Sequence, residues 1–293
     1  MLNASRLDFS RLRALKRFMS AEREVKAAPG GTARVVCVAS GKGGTGKSVV
    51  ASNLACLRAA RRERVCLVDF DAGLANAHLL LGVSPRYDLG HVMAGEVSAK
   101  EALVDGPNGV RLLSGGVGRH ALQNPTRREL DRLFKALAPL EHEFDLVIID
   151  HGAGMGYSTV AHLAATSTLL LVTNHEVTAL SDAYALYKRA HMVNEQVTVG
   201  ALINRSPDEA GANSAWERFK NASQRFLGQT PAFVGWVPFD EAVPRSVQAR
   251  RPVSLLEPSS PAARALERVA SWDPIDTART THSFYERARR ALR

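Results

Sequence analysis

The chain has 293 residues, 45% of them hydrophobic, which suits one large α/β domain with short extensions and a sizeable core. No apolar run approaches bilayer length and the opening MLNASRLDFSRLRALKRF carries charge throughout, so neither an integral membrane protein nor a secretory leader is expected. A net charge of +9 points to an anionic partner, with nucleotide, anionic lipid, nucleic acid and acidic protein as the candidate classes. Arginine and lysine crowd residues 1–26 and 279–293, so the excess base reads as two tails rather than a basic domain. Cys37, Cys56 and Cys66 form no CxxC pair and fall in core-like segments, as small buried hydrophobes of a reducing cytoplasm do.

Residues 1–26 read as an amphipathic helix, with Leu7, Ala14, Leu15, Phe18 and Met19 on one face. The linker AAPGGT follows at 27–32, and the helix before it is expected to be a docking arm for a partner or to fold back onto its own domain. Alternation then begins. RVVCVAS is a strand ending in a glycine loop, KSVVASNLACLRAAR a helix, RVCLVDFD a strand, RLLSGG a short strand and TRRELDRLFKALAPLEHE a helix. FDLVIID and STLLLVTN are strands, TALSDAYALYKRAHMV a helix, and VTVGALIN and PAFVGWVPFD strands around a helix near SAWERFKNASQRFLG. SSPAARALERVASW is a further packed helix. Apolar strands without polar alternation, separated by helices, predict an α/β fold with a mostly parallel twisted sheet covered on both faces. Three segments are expected: 1–32, a domain over 33–273, and a basic tail over 274–293. On a helical wheel the tail puts Phe284, Tyr285, Ala288, Ala291 and Leu292 on one side and its arginines on the other, the pattern of a helix lying on anionic lipid.

Gly41, Gly46, Lys47 and Ser48 match G-x-x-x-x-G-K-[ST] between a strand and a helix. Glycines let the backbone wrap a polyphosphate with its N–H groups inward, and the helix dipole favours the negative charge. Lys47 is placed to reach the β- and γ-phosphates and Ser48 to give a hydroxyl to Mg²⁺. Asp69 and Asp71 end the next strand, where such sheets line their ligand crevice. Asp71 is placed to orient or deprotonate a water. Asp69 either sits near Mg²⁺ or caps the following turn. Asp150 after LVII has the Walker B pattern, holding Mg²⁺ through water, and Gly152 and Gly154 give the next loop freedom to move. His151 reads as a solvent-facing substitution or as a hydrogen-bonding neighbour of the metal; it has no partner at ligand spacing.

Lys42, five residues before Lys47, is a second cation that phosphate binding does not require. Here KGGTGKS resembles the deviant Walker A motif of the MinD/ParA ATPases. DFDAGLANAHLLLG resembles their first switch, IIDHGAG their second, and TNHEVTALSDAYALYK the unit that follows, so the resemblance runs over residues 34–272. It implies a P-loop ATPase with ATP and Mg²⁺ as cofactors and Lys42 reaching the phosphates of a second subunit, so that dimerisation and ATP binding are one event. It implies catalytic roles for Lys42, Lys47 and Asp71, and metal roles for Ser48, Asp69 and Asp150. The implied nucleotide set is Gly41, Gly43, Gly44, Thr45, Gly46, Lys47, Ser48 and Val49 in the loop, with Asn204, Arg205, Pro238 and Asp240 on the adenine side. Within the family the segments are most similar to the FlhG-type regulators of flagellar number and placement. The departures are His151, where a small hydroxyl residue is common, and an N-terminal segment lacking the motif that acts on the FlhF GTPase.

An ATP-driven dimer switch is therefore expected, in the cytoplasm and peripherally at the inner face of the membrane, with an FlhF-like GTPase or a flagellar component as partner. A DNA-partitioning ATPase and a division-site regulator are the alternatives, with DNA disfavoured because the base lies in the tails. A metal-cluster carrier lacks its cysteines, and nothing marks the second-substrate pocket of a kinase or ligase.

Overall fold

The computed structural model describes residues 33–71, 76–116, 125–152, 156–277 and 282–293. The expected N-terminal helix and linker, and Gly154, lie outside them. Eight strands make one sheet: β1 (Arg34–Ala39), β2 (Val65–Phe70), β3 (Val104–Asp105), β4 (Arg111–Leu113), β5 (Leu146–His151), β6 (Thr168–Thr173), β7 (Thr198–Ser206) and β8 (Ala232–Pro238). Their order is β3-β4-β2-β5-β1-β6-β7-β8, and every pairing is parallel except the short β3–β4 ladder. β1 lies between β5 and β6, so the chain leaves it toward β2 on one side and later crosses to β6 on the other. A crevice opens at the carboxyl ends of the strands at such a switch point.

Both faces of the central strands are buried, which is why their sequences run apolar without alternation. Val36, Val38, Leu67, Ile148 and Leu170 face the side covered by α1 (Lys47–Ala60) and the later helices. Val35, Cys37, Val68, Ile149 and Leu169 face the other core. The helices there are α3 (Leu89–Ala94), α4 (Arg127–Leu137), α5 (Tyr157–Ala165), α6 (Val177–Val193) and α7 (Glu209–Leu227). The capping box that starts α4 is complete: Thr126 Oγ1 accepts from Glu129 N, and the Glu129 carboxylate accepts from Thr126 N at 2.7 Å. Asp208 caps α7 through Gly211 N and begins it ahead of the expected SAWERF stretch.

Several short helices carry too few residues to show a period: α2 (Ala77–Leu81), α8 (Ala242–Gln248), α9 (Val253–Leu256) and α11 (Asp273–Thr277). α10 (Pro261–Ala270) is the helix expected at SSPAARAL. The cysteines are buried as expected, and burial pushes each thiol up to about 12.

The basic tail requires a correction. It does not stand off the domain. Ile275 is fully buried, and α12 (Phe284–Arg290) packs against α4 and α5 with Phe284, Tyr285 and Ala288 at 0% exposure and Leu292 at 7%. The face expected to meet lipid is thus already buried inside the protein. Its anchor is Glu141, a fully buried carboxylate that accepts from Ser283 Oγ (2.7 Å), Phe284 N (2.7 Å) and Tyr285 N (2.8 Å). Those N–H groups would otherwise be orphan donors at a buried helix start. Burial still raises the carboxyl's pKa against these three bonds.

His162 of α5 sits among rings from β2, α4, β5 and α12. Its ring lies 4.6 Å from Phe70, 4.8 Å from Phe134, 4.9 Å from His151 and 5.4 Å from Phe284, centroid to centroid. Neither ring nitrogen has a hydrogen-bond partner. Burial, then the neighbouring His151, depresses its pKa well below the ordinary value.

Two outcomes follow for stability. Glu141→Ala leaves three buried donors unmatched and should lower stability by about 3 kcal/mol, seen as a fall of several degrees in Tm, with Glu141→Gln intermediate; an unchanged Tm would mean that α12 is not held there. For His162, the unfolded chain takes up a proton below pH ~6.5 that the folded chain cannot, so this group's stabilising contribution falls as pH drops from there toward the depressed folded value, by up to about 1.4 kcal/mol per pH unit. His162→Phe should therefore lose less stability than wild type between pH 7.5 and 5.5 in denaturant titrations, and parallel losses would contradict this.

Candidate nucleotide site

The loop between β1 and α1 is shaped by what surrounds it. Gly44 and Gly46 have φ of +78° and +88°, which a side chain adopts poorly. A Cβ on Gly41 would strike the backbone of Asp182 and Ala183 in α6, and one on Gly46 would strike the Asn204 amide. These glycines let α6 and β7 close on the loop. Val50 N makes the first turn bond of α1, to Gly46 O at 3.0 Å, and no side chain caps the helix. The N–H groups of Lys47, Ser48 and Val49 thus precede the first helical bond and face the crevice, as an anion site requires.

Lys47 is 8% exposed, and its ammonium donates to Asp71 Oδ2 at 2.8 Å and to Ser48 Oγ at 3.4 Å. Burial works against its charge, but Asp150, Asp71 and Asp69 outweigh it and raise the pKa. Asp69 and Asp150 are register neighbours on β2 and β5, both at 0% exposure. Burial pushes both carboxyls up. The charge of Asp150 raises Asp69 further, while Lys47 and Ser48 pull Asp150 part of the way back. Their remaining bonds differ. Asp69 accepts from Asp71 N (2.9 Å) and Ala77 N (3.1 Å), one on each oxygen, which is the turn-capping role left open by the sequence. Neither oxygen of Asp150 has a hydrogen-bond partner of good geometry.

The site therefore sets one ammonium against three carboxylates, one of them with no hydrogen bond of good geometry, beside a hydroxyl and uncapped N–H groups. That donor set fits a hard divalent cation brought in with phosphates. No three acidic, imidazole or thiolate groups among the described residues form a ready-made cage, and Mg²⁺ bound with substrate phosphates and water does not need one.

Lys42 does not turn toward Lys47. Its ammonium donates to Glu176 Oε2 (2.7 Å) and Thr178 Oγ1 (2.9 Å) at the start of α6, and it is 38% exposed. The pairing holds the Glu176 carboxyl below the ordinary range. These two partners were not identified from the sequence, although both lie within the quoted TNHEVTALSD.

The adenine-side segments do come together, because β7 pairs with β8 and Ser206 faces Pro238 in register. Asn204 Nδ2 donates to Thr45 O at 2.7 Å, so the amide braces the loop. Arg205, at φ +56°, donates from its guanidinium to Gly44 O at 3.1 Å. The Asp240 carboxylate accepts from Ala242 N (2.9 Å) and Ala262 N (3.0 Å), tying α8 to α10. His151 departs from expectation. It is 1% exposed, not solvent-facing, and burial, then the Lys47 charge, depresses its pKa to about 3.

Known proteins carry the same architecture. A family model described as the CobQ/CobB/MinD/ParA nucleotide binding domain matches residues 36–253. The Antiactivator FleN of Pseudomonas aeruginosa is 33% identical over 237 residues, 81% of this chain and 85% of its own. The flagellum site-determining protein YlxH of Helicobacter pylori is 27% identical over 241 residues, 82% of this chain and 81% of its own. Among solved structures, the Pyrococcus furiosus cell division ATPase MinD superposes with a TM-score of 0.69 at 27% identity, covering 81% of this chain and 97% of that one. The phosphate loop, the carboxylates at the strand ends and the matched span agree: the chain belongs to the CobQ/CobB/MinD/ParA family of nucleotide-binding proteins, with FleN and YlxH among its relatives.

Proposed function

We propose that the chain is a Mg²⁺-dependent ATPase whose ATP-bound form pairs two copies, and that it controls the number or placement of flagella. The observation that carries this is the Lys47 ammonium held among Asp69, Asp71 and Asp150 at the mouth of an uncapped helix. In this arrangement the loop N–H groups and Lys47 bind the β- and γ-phosphates. Mg²⁺, when bound, supplies charge neutralisation on the transferring phosphoryl group, and Ser48 and Asp150 are the residues that would hold it. As the phosphates take over Lys47, Asp71 loses its 2.8 Å partner and turns to the attacking water, which it orients or deprotonates.

Pairing is supported by the surface around Lys42. Its ammonium points away from its own loop, and Tyr157 (57% exposed) and Val177 (69%) stand uncovered at the starts of α5 and α6. A second copy would cover them while its phosphates draw Lys42 off Glu176. The flagellar reading is favoured over division or DNA partition by the match to FleN, which spans most of both chains. The proposed setting is the cytoplasm, with a flagellar component or an FlhF-like GTPase as partner. No helix among the described residues is long and apolar enough to cross a membrane. A lipid tether through 277–293 is not part of the proposal, because the apolar side of α12 is buried.

Three variants separate the parts. Lys47→Ala should abolish ATP binding or hydrolysis. Asp71→Ala should keep ATP but lower hydrolysis by about 10²-fold or more and leave a long-lived dimer. Lys42→Ala should bind ATP and remain monomeric in light scattering. Unchanged turnover in the Lys47 variant would refute the ATPase, and ATP-dependent dimers of the Lys42 variant would refute its role across the pair.

A further inference from the structure

Away from the nucleotide crevice, α4 and the C-terminal segment line an open surface cleft of about 640 Å³. Its wall carries Arg127, Arg128 and Arg132 from α4 and Arg289 and Arg293 from the α12 side, around a single carboxylate, Asp131. Arg289 forks onto that carboxylate, Nε to Oδ1 at 2.9 Å and the terminal nitrogen to Oδ2 at 3.1 Å. The one acid is thus engaged, and the guanidinium beside it is fixed in place. Of the other four arginines, Arg293 also lies in the field of Asp131 and Arg132 in that of Glu129, so the arginines outnumber the acids beside them, and Arg128, Arg132 and Arg293 are exposed.

The placement runs against helix electrostatics. Arg127 and Arg128 are the first two residues of α4, where the positive end of the helix dipole disfavours cations. The capping box at Thr126 and Glu129 holds the helix start together despite them. Local rules are broken in this way where a site needs the charge. The lining has five guanidinium groups and no ammonium. Guanidinium forks match the paired oxygens of phosphoryl groups, which a point charge does not.

We propose that this cleft binds a phosphoryl group bearing two or more negative charges, held by Arg127, Arg128, Arg132 and Arg293, with Arg289 positioned by Asp131. The group can belong to a soluble phosphoanion or to a lipid headgroup. Contact with a bilayer would end at the headgroup, because Leu292, the one aliphatic lining residue, is 7% exposed and Phe284 and Tyr285 behind it are fully buried. The occupant fastens α12 to α4. Arg127 also lies 5.3 Å over the Tyr157 ring, so one cleft side chain touches the start of α5.

The test is independent of the nucleotide assignment if the loop lysine is removed. In full-length Lys47→Ala protein, inorganic pyrophosphate binding is measured by calorimetry at low salt. It is compared with the same protein carrying Arg128→Gln, Arg132→Gln and Arg293→Gln, and with a charge control carrying Arg218→Gln, Arg225→Gln and Arg264→Gln. The cleft variant should bind at least tenfold more weakly at unchanged Tm, while the control is unaffected. Vesicles of phosphatidic acid in phosphatidylcholine form the second arm, and their capture by the parent but not the cleft variant identifies a headgroup as the source. Equal pyrophosphate and vesicle binding by all three proteins, binding of neither, or a cleft-dependent affinity for duplex DNA alone would overturn the proposal.

Discussion

Where β1, β2 and β5 end, a nearly buried ammonium is paired with one carboxylate, Asp71, and lies in the field of two more, Asp69 and Asp150, and most of the surrounding structure serves that meeting. Lys47 is carried there because α1 begins at a left-handed glycine that ends the loop after β1. Asp69 and Asp150 are carried there because adjacent parallel strands put them in register. Like charges so close and so dry raise each other's pKa, and one lysine does not balance them. The excess negative charge and the poorly satisfied Asp150 oxygens make the cluster incomplete by itself. In the proposed function a cation brought in with phosphates would complete it, and the ion pair between Lys47 and Asp71 is the arrangement that exchange would break.

The same cluster reaches the far side of the sheet. Asp150 is followed by buried His151, whose ring meets His162, and His162 meets Phe284 of the C-terminal helix. This chain of rings explains why a basic segment that looks like a detachable tail is built into the core. Its apolar side chains fill the space over α5, and Glu141 satisfies the N–H groups at its start. Arg289 and Arg293 share one surface with Arg127, Arg128 and Arg132 of α4, while Arg287 turns toward Glu141, so the segment's positive charge has defined neighbours.

The strands were legible because burial on both faces writes continuous apolar runs, and the loop because glycine, lysine and serine at fixed spacing have few other uses. The long amphipathic helices were legible from their period. α5 was missed because YSTVAHLAA is short and mixed. The misreadings share a cause: composition does not say which surface a face meets. The side of α12 that resembles a lipid-binding stripe is a core stripe, and the polar-looking His151 is wedged against another histidine. The two oxygens of Asp240 hold two helix starts, a long-range fact that no local pattern records. Asp69 likewise resolves into a cap only once Ala77 N is seen beside it.

The central claim is that the Lys47–carboxylate cluster is built to be completed by a divalent cation together with nucleotide phosphates. The most direct measurement is the Tm of the wild-type chain with ATP and Mg²⁺, with ATP and EDTA, and with Mg²⁺ alone. A ligand at one hundred times its Kd stabilises by about 2.7 kcal/mol, a shift of several degrees for a domain of this size. The full shift is expected only when ATP and Mg²⁺ are present together. An equal shift with ATP and EDTA, or none in any condition, would contradict the account.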